Sequence, residues 1–269
     1  PVKGRVFFAV LAALILGSPA PGVCGTIRTQ VSLKTFVNPE GGWDIAADVE
    51  NDGDATAYGL RAFVFVDGWM EGFDALGDNP PGGSISLRTR FVPGTRRPGR
   101  YTGMVRVHFE DMSGKAHRAH HPFSLICFGS RENKGREAFD VRLETPPDES
   151  SGTIRVRLEN RARRTLLIQA HLFLPEGVST PVPGKEATVG PGEAWVLVFP
   201  LTRHVEQIGH PPFHLAAWTE LPDVHLSRHV EGCLPPSPDR PMFKAYLLAA
   251  AAVLTGVGLV LLVRSRRSR

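Results

Sequence analysis

Between residues 26 and 242, hydrophobic and polar positions alternate one by one in several separate runs. Trp43, Ile45, Ala47 and Val49 alternate with Asp44, Ala46 and Asp48. Val105, Val107 and Phe109 alternate with Arg106, His108 and Glu110, and Ile154, Val156 and Leu158 with Arg155, Arg157 and Glu159. A period of two places successive side chains on opposite faces of a strand, so each run predicts one dry face and one wet face. Turn signals separate the runs: Asn51-Asp52-Gly53-Asp54, Asp67-Gly68, Pro80 to Gly83, Pro98-Gly99, Ser113-Gly114 and Pro191-Gly192. No segment of this region holds a helical period. Many short strands punctuated in this way predict an all-β chain of β-sandwiches.

The pattern repeats. Ile45–Asn51 reads IAADVEN and Ile154–Asn160 reads IRVRLEN, an offset of 109 residues. The same offset carries Leu60–Gly68 onto Gln169–Gly177 and Gly83 onto Gly192. The region is long enough for two domains of ~100 residues each. The expected division is a first sandwich at 26–128, a polar linker at 129–137 and a second sandwich at 138–232.

The run Val49-Glu-Asn-Asp-Gly-Asp-Ala-Thr-Ala57, followed by an apolar strand, a Pro/Gly turn and another strand, resembles the CARDB-type bacterial adhesion-related domain. The second copy, with Leu158-Glu-Asn160, Leu174-Pro-Glu-Gly177 and Val189-Gly-Pro-Gly192, is similar to the related sandwich appended to α-galactosidases. It carries Arg161-Ala-Arg-Arg164 where the first copy has small residues. The resemblance implies two tandem immunoglobulin-like β-sandwiches acting as spacer or binding module, and it implies no chemistry.

Both ends of the sequence read as targeting segments. Lys3 and Arg5 precede the apolar run Val6–Leu16 and small residues follow, the layout of a secretory signal peptide over 1–25. Phe243 to Val263 predicts one C-terminal transmembrane helix, whose uncharged run from Ala245 spans roughly 28 Å at ~1.5 Å per residue. Lys244 and Tyr246 sit at its outer interface; Arg264, Arg266 and Arg267 open a basic tail, 264–269, that is expected in the cytoplasm. The Pro-rich stretch 233–242 is expected to be an extended stalk. The chain is therefore expected to be a single-pass protein of the cell membrane, its N-terminal region in the periplasm or outside the cell.

Composition adds little to this picture. The formal net charge is +4 and the pI about 9.2, but the tail and the leader hold the excess cations, so no nucleic-acid binding is expected. Cys127 and Cys233 close the last strand of each expected domain; tandem positions of that kind lie far apart, and an oxidising compartment would still permit a bridge.

Catalysis is not expected. There is no G-x-S-x-G, and His204-Val-Glu-Gln-Ile-Gly-His210 has its Glu at the wrong offset for a zinc helix. No cofactor is expected. Asn51-Asp-Gly-Asp54 reads as a turn rather than a calcium loop, which needs further oxygen ligands. Three other features carry candidate chemistry. His117, His120 and His121, with Met104, Met112 and His108 nearby, suit a copper-type metal, although a strand puts His120 opposite the other two. Trp69, Met70, Phe73 and Leu76 lie in a Gly-rich connection, 67–79, and suit a protein or carbohydrate contact. Arg88, Arg90, Arg96, Arg97 and Arg100 make a basic hairpin that suits acidic polysaccharide, lipid headgroups or a solvated edge strand. The leading expectation is a non-catalytic envelope protein offering its sandwiches to a protein partner or serving as a spacer. The alternatives are a metal-binding protein using the histidines and a carbohydrate-binding module.

Overall fold

The computed structural model describes residues 25–38, 42–92, 97–127, 138–144, 152–204 and 210–235. The expected membrane span and tail, with Lys244, Tyr246, Arg264, Arg266 and Arg267, the linker 129–137, and all but the last residue of the expected leader lie outside them. No helix among the described residues is long and apolar enough to cross a membrane.

The chain is all-β. Seven strands come first: β1 (Thr29–Val37), β2 (Trp43–Asn51), β3 (Ala57–Val66), β4 (Trp69–Asn79), β5 (Ser84–Phe91), β6 (Gly99–Glu110) and β7 (Ala116–Cys127). Nine follow: β8 (Phe139–Leu143), β9 (Thr153–Asn160), β10 (Leu166–Phe173), β11 (Val178–Ser179), β12 (Gly184–Val189), β13 (Ala194–Pro200), β14 (Thr202–Arg203), β15 (Pro212–Glu220) and β16 (His225–Cys233).

The first seven form a three-stranded sheet, β1-β2-β5, and a four-stranded one, β7-β6-β3-β4. Strands from the second half repeat that order as β8-β9-β13 and β16-β15-β10-β12; β11 and β14 pair only with each other. In each half the alternation buries one face of both sheets against the other. Trp43, Ile45, Val49 and Leu87 meet Leu60, Val64, Val105 and Leu125 in the first core. Ile154, Val156, Leu158 and Phe199 meet Ile168, Leu172, Phe213 and Leu215 in the second. Leu234, expected in the stalk, is fully buried in this second core, and its N–H donates to Pro211 O.

A buried asparagine explains why the two halves share a sequence signature. Asn51 Nδ2 donates to Ala55 O at 2.8 Å and Asn79 O at 2.9 Å, while its Oδ1 accepts from Gly53 N–H. Asn160, 109 positions on, does the same: Nδ2 donates to Arg164 O and Val189 O, both at 2.8 Å, and Oδ1 accepts from Ala162 N–H at 2.9 Å. Each amide thus ties the turn after one strand to the adjoining end of the sheet opposite. Backbone carbonyls that would otherwise be buried without a donor are satisfied. Asn160→Ala will strip the donor from these carbonyls and cost about 2–3 kcal/mol, measured as a lower urea midpoint.

The Gly-rich connection expected at 67–79 is instead a two-residue turn followed by strand β4. Val66 pairs with Trp69 across Asp67-Gly68, and both turn residues have positive φ (40° and 89°), the hairpin turn that an Asp-Gly pair favours. Strand periodicity then turns Trp69 and Phe73 inward. A register shift beyond Phe73 brings Leu76 to the same side, and all three pack on the first core. Trp69 lies against Phe91, ring centroids 5.4 Å apart. Glu71 also points inward and accepts a hydrogen bond from Thr89 on the facing sheet. An inward charge and a register shift are devices that keep an edge strand such as β4 from pairing with another chain.

Candidate functional site

The polar faces of the two four-stranded sheets are turned towards each other. Phe65 and Met104 from the first half pack against Phe173, Ala216 and Trp218 from the second in a small dry cluster. Phe65 meets Phe173 and Trp218 edge-on at 5.0 and 5.9 Å. The sheets also touch strand to strand: β6 and β16 run parallel for a single pair, Gly99 with His225. A Cβ on Gly99 would lie 1.9 Å from His225 O, so only glycine permits this approach. Three groups of ionisable side chains surround the apolar centre.

The first group is a latch. Asp67, in the turn before β4, and Glu220, at the end of β15, both hold the His225 ring, with Asp67 Oδ2 2.8 Å from Nε2 and Glu220 Oε1 2.6 Å from Nδ1. Tyr101 stacks flat on the imidazole at 3.9 Å, and its hydroxyl donates to Arg97 O. Arg97 pairs with Glu220 at 3.2 Å and donates to Leu221 O. Thr102 and Ser227 bridge the halves at 2.7 Å, and Ser227 donates to Arg100 O. With a carboxylate at each nitrogen, His225 donates twice and is an imidazolium. Burial would push its pKa down, but the hydrogen bonds to Asp67 and Glu220 outweigh that and hold it above the ordinary value. Burial pushes Asp67 up to about 6, although the bond from His225 works against the rise.

The second group consists of neutral histidines. His120 from β7, His171 from β10, His214 from β15 and His229 from β16 sit around the same face. His214 Nδ1 is 3.1 Å from His229 Nε2, and His120 meets His214 edge-on with centroids 5.8 Å apart. Burial is the main cause in every case: it lowers His171 and His214 to about 4 and His229 in the same direction. Burial, with His214, Arg118 and Arg106 close by, takes His120 to about 2.

The third group is a set of arginines at the open end of the sheet: Arg61 on β3, Arg106 on β6 and Arg118 on β7. They line a cleft of about 430 Å³ with Phe63, His108 and Glu176.

The sequence-derived candidates fare differently. His117, His120 and His121 are not brought together. His117 binds Asp111 at 2.8 Å and stacks on Phe109, and His121 lies 3.5 Å from Thr29 Oγ1. His120 faces the second sandwich. No three His, Cys, Asp or Glu side chains among the described residues are placed to hold a metal ion. Of Trp69, Met70, Phe73 and Leu76 only Met70 is exposed; the other three are partly buried against their own core. In the basic hairpin, Arg90 is spent on Asp44 at 2.9 Å and Arg97 on Glu220. Cys233 is a free, exposed thiol. It lies at the opposite end of β16 from His225, roughly 26 Å away along the strand, whereas Cys127 pairs with Gly99 beside His225. That separation rules out a bridge between the two, which requires Cα atoms within about 7 Å.

No protein-family model matches the chain, and no curated protein matches it. Among solved structures it is similar to E. coli alpha-2-macroglobulin in its native conformation, at 9% identity and TM-score 0.29 over 78% of this chain and 17% of that one. It is similar to red sea bream transglutaminase at 9% identity and TM-score 0.27, over 84% of this chain and 33% of that one. It is also similar to the YadV chaperone at 8% identity and TM-score 0.29, over 75% of this chain and 98% of that one. The chain thus spans less than two thirds of the first two, and likenesses of this size assign it no family and no role.

Proposed function

We propose that this is a non-catalytic, single-pass membrane protein of the cell envelope that presents two immunoglobulin-like β-sandwiches, joined as one stiff unit, for contact with a protein partner or as a spacer. The observation that carries the reading is the joint. Sandwiches strung as independent binders need only a linker between them. Here the two share an apolar cluster, a strand-to-strand contact and a latch in which buried Asp67 and His225 are joined by the more exposed Glu220. Such a joint resists bending, which a spacer or a composite contact surface requires and a flexible tether does not. The latch is unsuited to catalysis, because both ring nitrogens of His225 are committed and neither is left to take a proton from a substrate.

The test is co-purification of the full chain from native membranes, quantified by mass spectrometry, beside a Trp218→Asp variant in which the joint is opened. A partner held by the wild type and lost by the variant is the expected result. Recovery of the chain in the soluble fraction, or the absence of any partner or envelope defect in either form, would overturn the proposal.

A further inference from the structure

Arg61, Arg106 and Arg118 bring three guanidinium groups into one cleft whose lining holds two carboxylates, Glu110 and Glu176. Arg118 is satisfied in part, by Glu176 Oε2 at 3.1 Å and by Leu174 O at 3.1 Å, both from the second sandwich. Arg106 lies over the Phe63 ring, 4.8 Å from its centroid, and its Nε is buried with no hydrogen-bond partner; Arg118 Nε is in the same position. Neither Arg61 nor Arg106 has an ion pair among the described residues. His108 stands among the three with its Nε2 buried and unpartnered. Burial, then Arg118, Arg106 and Arg61, push it down to about 4, so it adds no charge at neutral pH. Burial and then the Arg118 charge also lower Arg106, against a smaller opposing effect of Glu176.

A charge taken out of water without a counterion costs stability, so folds keep buried charges paired. Arg61 is exposed, but Arg106 is half-buried with its Nε unpartnered, and an anion would supply that partner. We infer that this cleft on the first sandwich, closed by Glu176 of the second, binds a small ligand bearing carboxylate or phosphoryl oxygens, with Arg106 as the principal fork, Arg61 at the mouth and Arg118 held in place by Glu176. Guanidinium groups meet such oxygens two at a time, a geometry lysine cannot supply. The volume of about 430 Å³ lies within the ~300–1,000 Å³ typical of small-molecule sites. Glu110 and Glu176 on the cleft wall disfavour an extended polyanion lying across it. The site does not depend on the envelope role proposed above. The second sandwich contributes Glu176 to the lining, and that carboxylate holds Arg118.

The test uses the purified full chain with inorganic phosphate and citrate as separate probes, against sodium chloride at equal ionic strength. Saturating phosphate or citrate is expected to raise Tm by about 3 °C or more over chloride, and the arm that responds separates phosphoryl from carboxylate recognition. Arg106→Gln, and Arg61→Gln independently, are expected to weaken the probe's Kd at least about tenfold by titration calorimetry. Without probe, Arg106→Gln should fold at least as well as the wild type, because an unpaired charge has been removed. If that variant does not fold, Arg106→Lys decides, since it keeps the stem and the charge over Phe63 but loses the fork. A retained Tm with a lost probe response supports the site. A Tm that rises equally in chloride, a probe response that survives both glutamine variants, or an Arg106→Lys chain that loses its fold or keeps its probe response would overturn it.

Discussion

Replacing His225 with leucine will destabilise the chain by about 3–5 kcal/mol, the usual cost of removing one partner from a buried ion pair. The His225 and Asp67 side chains are 2% and 3% exposed, so neither reaches water when the other is lost. In the variant, Asp67 keeps only the Thr102 N–H at 3.2 Å; its Oδ1 is already buried without a partner. The carboxyl must then stay protonated or carry an uncompensated charge across the joint. Urea unfolding at neutral pH should show the loss, which corresponds to a Tm lower by roughly 10 °C. Adding Asp67→Asn should restore about half of it, because asparagine tolerates the positive φ of 40° at that turn and brings no charge. A single-variant loss below about 1 kcal/mol, the level of an ordinary surface change, would mean that the latch does not hold the halves together.

Acidification will destabilise the chain through its partly buried histidines, most of which lie at the joint. His108, His120, His121, His171, His214 and His229 all have folded pKa values held below the ordinary 6.5, chiefly by burial. An unfolded chain takes up these protons near pH 6.5, and the native one does so only further down. Their contribution to stability is therefore whole above 6.5 and is lost as the pH falls. His214, at 4% exposure and lowered to about 4, accounts for about 3 kcal/mol of that loss by itself. The charges facing these rings are mainly Arg106 and Arg118, which oppose a further proton, while Glu231 beside His214 and Glu176 near Arg106 favour one. The latch responds the other way. Asp67, raised to about 6, contributes most below 3.8 and less as the pH rises through 6; His225, also raised, contributes below 6.5 and fades above its folded value. Six rings oppose two groups, so the net effect is acid lability. The urea midpoint should fall steadily from pH 7 to 4.5, and His214→Gln should flatten the slope by about one proton. A midpoint level across that range would refute the account.

The arrangement within each sandwich was readable because it is local. Trp43–Val49, Val105–Phe109 and Ile154–Leu158 alternate as half-buried strands must, and the structure buries those faces. The 109-residue offset reads in sequence as a shared turn pattern; its cause is Asn51 and Asn160, each tying the same two edges of its own sandwich. Strand β4 was less legible because Gly72 and Gly77 interrupt its pattern and a register shift moves Leu76 out of phase with Trp69 and Phe73.

The joint could not be read at all. Alternation assigns Arg106 and His108 to a wet face, and within the first sandwich taken alone that assignment is correct. It fails because the second sandwich covers the face, and no local pattern records that a polar surface will be covered. Asp67 and His225 stand 158 positions apart, and Arg118 and Glu176 belong to different halves. The strand class, the doubled core and the asparagine repeat were legible in residue order alone, since each depends on neighbours within a turn or a strand. Which polar faces meet, which histidines stay neutral and where three arginines converge emerged from the folded chain, since those follow from contacts between segments that share no period.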